Sequence, residues 1–157
     1  MQRLVMGAAT ALVFSPLLGL AACLAWLAAY VLIQGLEAWL AEPVVKGQVN
    51  APLGWRGPAL DATLALNAGF IGFLSIPLWL VGGPMGGFAA AVLLSAGTVN
   101  SMIMSAGNMR VFAFTVAPQL GYLALTPFFM AQWGAERPLV TAVGIGVVIY
   151  SLSLIHI

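Results

Sequence analysis

Charge is what this sequence has least of. Asp, Glu, Lys and Arg together make up 6% of its 157 residues, against roughly a quarter in an average soluble domain. Between Asp61 and Glu136 the only charged side chain is Arg110. With 62% hydrophobic residues and a mean hydropathy of +1.07, a water-soluble fold would expose large apolar patches, which lipid tolerates and water does not. The formal net charge of +1 leaves no basic footprint for nucleic acid and no acidic tail. A single cysteine, Cys23, excludes an intramolecular disulfide, and a single histidine, His156, excludes any site built on two imidazoles. There is no glycine-rich dinucleotide turn, P-loop lysine, HExxH, CxxC or nucleophile elbow. No two carboxylates lie close enough within an apolar run to share a proton or a cation. No cofactor, metal or catalytic residue is therefore predicted, and the residues present are expected to be enzymatically silent.

What the chain does have is long apolar runs. Asp61 to Met130 reads as three of them, separated only by tight turns at Gly82-Gly83-Pro84 and Ser105-Ala106-Gly107-Asn108-Met109-Arg110. About 20 apolar residues suffice to cross the hydrocarbon core as a helix. The fold class expected is all-α, a polytopic transmembrane helical bundle whose partner is the lipid bilayer.

From Leu4 to Leu36 there is no charge, and as one rod this stretch would be ~50 Å long against a core of ~30 Å. Ser15-Pro16-Leu17-Leu18-Gly19 offers a place to fold back, since proline disfavours helix before it and glycine permits the return. With a hairpin there the spans number about six, and Arg3, Lys46, Arg56 and Arg110 fall on one side with Arg137 opposite, as the positive-inside rule favours. The N-terminus and the 41–60 loop are then cytoplasmic. Leu20-Ala21-Ala22-Cys23 matches a bacterial lipobox, but the apolar run continues through Tyr30 where a polar tether should begin, so a plain helix is preferred. Gln34 and Glu37 are read as a helix end emerging into headgroups, in preference to a polar pair facing into the bundle. The loop from Ala41 to Leu60 holds no ligand constellation, and Trp39 and Trp55 near it suit the membrane surface.

Asp61 is placed near a helix N-terminus, where a carboxylate suits the macrodipole. Trp79 is expected to anchor the next turn in the headgroups, and Arg110 to snorkel to the cytoplasmic surface. Gly97, Ser101 and Ser105 recur every four residues. Small residues so spaced let two helices approach closely, because lipid supplies no hydrophobic drive to pair them. This stripe is read as helix packing, with a substrate path as the alternative. Asn67, Asn100 and Gln119 are the candidate polar groups within the membrane. Pro118 and Pro127 should kink the fifth span.

A sixth span begins at Leu139 and halts near Ser151, short of a full crossing. Leu152 to Ile157, LSLIHI, resembles the translation of a sequencing-library adapter. The domain is therefore taken as residues 1–151, with 152–157 as a tail foreign to the protein, His156 included.

The N-terminal hairpin carrying Trp26, Tyr30, Gln34 and Glu37, the Pro/Gly loop, and spans ending near Asn108 to Arg110 and Ala117-Pro118 together resemble the membrane sensor region of bacterial sensor histidine kinases, especially alphaproteobacterial hybrid kinases. The resemblance covers Met1 to Ser151. It implies a bacterial inner-membrane location and a cytoplasmic dimerisation and ATP-binding region following the spans, through which such proteins form homodimers. None of those output residues is in this sequence, so no catalytic position carries over. The expectation is a non-catalytic sensor or anchor region for signal transduction. A fragment of a permease, with Asn67, Asn100 and Gln119 as binding groups, and a small structural membrane protein are the alternatives.

Overall fold

The computed structural model describes residues 2–46, 54–105 and 108–155. Among these the chain is helical nearly throughout: α1 (Gln2–Leu18), α2 (Leu20–Val45), α3 (Arg56–Phe73), α4 (Ser75–Met104), α5 (Met109–Ala124), α6 (Thr126–Gln132) and α7 (Arg137–Ile155). No strand forms among the described residues. Four stretches are long and apolar enough to cross a membrane: Leu20–Val45, Arg56–Ile103, Met109–Gln132 and Arg137–Leu154. α1 is the shorter apolar helix beside them. Leu12, Leu32, Val81, Phe88 and Ile103 lie exposed on the outside, an arrangement suited to lipid rather than to water.

Single glycines make the corners. Gly19 has φ 85 between α1 and α2, in the region that costs a side chain dearly and glycine nothing. The expected N-terminal hairpin is present, with α1 lying along α2. Gly83, at φ 54 and ψ −142, breaks α4 into 75–82 and 84–104, and Pro84 starts the second segment where its missing N–H is no loss. As one rod, the 48 residues of Arg56–Ile103 would run roughly 70 Å. The corner instead folds the chain back so closely that a Cβ at Gly86 would collide with the Leu78 carbonyl. Two milder hitches, at Leu74 and Leu125, precede Pro77 and Pro127, where a proline removes a ladder hydrogen bond.

Packing at the crossings also depends on missing side chains. A Cβ at Gly7 would lie 2.5 Å from the Tyr30 ring, and one at Gly72 would enter the Tyr122 ring, so α1 meets α2 and α3 meets α5 at close range. One buried cluster gathers Ala11, Cys23, Trp26, Tyr30 and Leu74, and a second Leu78, Trp79 and Ala90. Trp79 is thus not the headgroup anchor expected. It is 5% exposed, covers Gly87, and stacks on Phe129 at 5.8 Å, because the glycine on the returning segment leaves a slot that an indole fills.

Three boundaries differ from expectation. α2 continues through Pro43 to Val45 and α3 starts at Arg56, which shortens the loop read at 41–60; residues 47–53 lie outside the described residues. Asp61 consequently lies beyond the first turn of α3, where the helix dipole fades, and pairs instead with Arg110. α7 runs on to Ile155 with Leu154 buried rather than halting at Ser151; His156 lies outside the described residues, as do Ala106 and Gly107.

Candidate functional site

Two pairs of the chain's few charges meet at one end of the bundle. Arg3 on α1 pairs with Glu37 on α2, and Arg110 at the start of α5 pairs with Asp61 on α3. Asn108 caps α5 by accepting from the amides of Arg110 and Val111, both at 3.1 Å, which fixes where the Arg110 side chain departs. Nearby, Arg56 lies 5.1 Å from the centre of the Trp39 ring and 6.0 Å from that of Trp55. Trp39 and Trp55 are both exposed, so these two residues and Arg56 form an amphipathic surface cluster of the kind that settles at a membrane interface.

Glu37 does more than pair with Arg3. Its second carboxylate oxygen accepts from Asn67 Nδ2 at 2.7 Å, and Asn67 Oδ1 accepts from Gln34 Nε2 at 2.9 Å. Gln34 and Glu37 therefore face into the bundle and grip α3, which corrects the reading of them as a helix end dissolving into headgroups. Asn67 is 7% exposed. An amide buried in apolar surroundings must find partners, and α2 supplies both of them.

Deeper in, Gln119 on α5 is 2% exposed. Its Oε1 accepts from Thr98 at 3.2 Å and its Nε2 donates to Ser101 Oγ at 3.4 Å. The single Thr98 hydroxyl proton is shared between Gln119 Oε1 and the Leu94 carbonyl, the nearer acceptor at 2.7 Å. The side chain fits because Gly97 is bare: a Cβ there would stand 2.6 Å from Gln119 Oε1. The stripe of Gly97, Ser101 and Ser105 faces the bundle, with Ser105 buried and bonded to the Ser101 carbonyl at 2.7 Å.

Between α1, α2, α3, α4 and α5 these groups enclose a cleft of about 280 Å³. Asn67, Asn100 and Gln119, singled out separately in the sequence, all line it, as do Gly97 and Ser101 of the stripe. Arg3, Thr10, Tyr30 and Thr115 add polar atoms, and Trp26, Leu64, Ile71 and Leu93 add apolar surface. Sequence reasoning missed Arg3 here because α1 reaches the cleft only through the hairpin at Gly19, and Tyr30 because nothing local in α2 shows which of its faces the cleft meets. A smaller cavity of about 140 Å³ beside Cys23 and Phe14 is lined almost wholly by apolar side chains and offers a thiol no base.

Chemically, the cleft presents amides, hydroxyls, an indole and one cation already matched by a carboxylate. Such groups bind and orient a ligand, but amides and hydroxyls are poor proton carriers at neutral pH. No protein-family model matches the chain, and no curated protein or solved structure shows significant similarity to it.

Proposed function

We propose that this chain is the membrane-embedded, non-catalytic input region of a signal-transduction protein of the sensor-kinase type, held in a bacterial inner membrane by about six spans. The observation that carries the reading is that the cleft and the polar network share residues. Arg3 and Asn67 line the cleft and also tie α1, α2 and α3 together. A ligand that displaces either one alters how those helix ends are held, which is what a sensor must transmit. The span count is supported by counting α1, whose 17 residues are at the lower limit of ~17 for a crossing, and by dividing the longest apolar stretch at Gly83. The orientation proposed is supported by the four-to-one split of Arg3, Lys46, Arg56 and Arg110 from Arg137, which favours a cytoplasmic N-terminus.

A second reading, a permease fragment, is favoured by Pro118 within α5 and the break ahead of Pro127, both close in sequence to Gln119 in the cleft wall. One experiment separates the two: determining the coding sequence that follows the codon for Ser151 in its source genome. A histidine-bearing dimerisation helix and ATP-binding motifs are the expected result. A run of further apolar spans would overturn the sensor reading and move the cleft to a transport path.

A further inference from the structure

We propose that the cleft binds a small uncharged molecule combining an apolar body with a carbonyl-, amide- or hydroxyl-bearing head. This rests on the cleft being the input site and adds the class of ligand it takes. Charge decides the class. Among the described residues Arg3 is the one charged residue on the wall, and Glu37 meets it with one oxygen while the other holds Asn67. The positive charge beside the cleft is thus already balanced. An ionised ligand would shed its water there without gaining an uncompensated counter-charge.

Asn67 is partly committed, since each end of its amide already has one partner on α2. The remaining hydrogen-bonding capacity belongs to neutral groups. Gln119 Nε2 carries two protons and spends one on Ser101, at the long distance of 3.4 Å. Asn100 stands exposed on the same wall, with an amide able to donate and accept. Trp26, stacked on Tyr30 at 5.3 Å, and Ile71 give the ligand's apolar body a surface to lie against. The volume of about 280 Å³ is near the lower end, ~300 Å³, of clefts that take drug-sized ligands, so a single-ring molecule fits the scale.

The test uses the full chain in nanodiscs of neutral lipid, with 4-bromobenzamide as probe and tryptophan emission as readout. Bromine in the cleft quenches Trp26 by contact. The expected result is a saturable component of quenching that unbrominated benzamide relieves and that Trp26→Phe removes. Gln119→Leu, which keeps the volume over Gly97, should weaken the apparent affinity about tenfold, the loss of one buried hydrogen bond. The anion 4-bromobenzoate should quench only in proportion to its concentration in the lipid. Purely proportional quenching by the amide, without relief by benzamide, would overturn the proposal, and saturable quenching by the benzoate would overturn the neutral class. The competition arm needs no variant and so does not depend on any substitution folding. A negative result here removes the ligand assignment alone, whereas the input reading stands or falls on the coding sequence after Ser151.

Discussion

Asn67 on α3 donates to Glu37 on α2 across 2.7 Å, and the Glu37 side chain that accepts is only 13% exposed. A carboxylate so placed is tolerable because each oxygen has its own partner, the Asn67 amide on one and the Arg3 guanidinium on the other. Helices α1, α2 and α3 are thereby joined at a single residue.

Replacing Glu37 separates its two roles. Glu37→Gln retains an acceptor for Asn67 and loses only the ion pair, whose Arg3 side is 43% exposed, so the cost should be ~0–1 kcal/mol. Glu37→Leu strands the Asn67 amide as well and should cost ~1–3 kcal/mol more. Thermal unfolding in detergent micelles measures both, and equal losses for the two variants would deny Asn67 its dependence on Glu37.

Bulk on the small-residue stripe should be resisted where α5 lies against it. Gly97→Leu forces Gln119 out of its place and is expected to cost ~1–3 kcal/mol. Val99→Leu, on the exposed side of the same helix, should stay within about 0.5 kcal/mol. If the two melts coincided, the contact between Gly97 and Gln119 would carry no weight.

Much of this was legible beforehand, and the reasons differ by residue. Hydropathy alone pointed to long apolar helices, because runs with so little charge favour lipid over water, and the fold has four stretches long and apolar enough to cross a membrane. Pro16 and Gly19, and Gly82, Gly83 and Pro84, marked the corners because proline and glycine act locally on φ and ψ. Asn67, Asn100 and Gln119 stood out as polar groups in apolar runs, yet nothing local said that one cleft would gather them. The ion pairs were harder still. Arg3 and Glu37 sit nearly equidistant from Gly19, a register signal that emerges only once the hairpin is drawn. Asp61 and Arg110 meet only because the chain folds back at Gly83. Trp79 misled for a related reason: a tryptophan beside a turn reads as an interface residue until the glycine facing it, Gly87, is known.

The corner at Gly83 should reject a side chain. Gly83→Ala places a Cβ at φ 54, at a cost of ~1–2 kcal/mol, whereas Gly146, inside α7 with nothing within 4 Å, should accept alanine with a gain of ~0.5–1 kcal/mol. Melting temperatures moving in opposite directions are the expected outcome. A neutral Gly83→Ala would mean the corner opens in the membrane.

Orientation has its own check. A topology reporter joined after Lys46 or Arg110 should read cytoplasm, and one joined after Glu136 the opposite side. An outside signal at Lys46 would undo the six-span arrangement and with it the shared face of the cations.

The two ends of the bundle are fastened in different ways. At one end the chain itself turns at Gly19, Gly83 and Gly134, each a single residue at positive φ, and these corners touch: a Cβ at Gly82 would meet Leu17 and one at Gly83 would meet Trp133. At the other end α1, α2, α3 and α5 are held by Arg3–Glu37, Glu37–Asn67 and Asp61–Arg110, contacts that separate without breaking a bond. The corners are thus set by backbone geometry, whereas the charged end, beyond the segments that connect α2 to α3 and α4 to α5, is held by pairs that can exchange partners. Any change of spacing that such an exchange allows is greatest at the charged tips, a helix length from the corners.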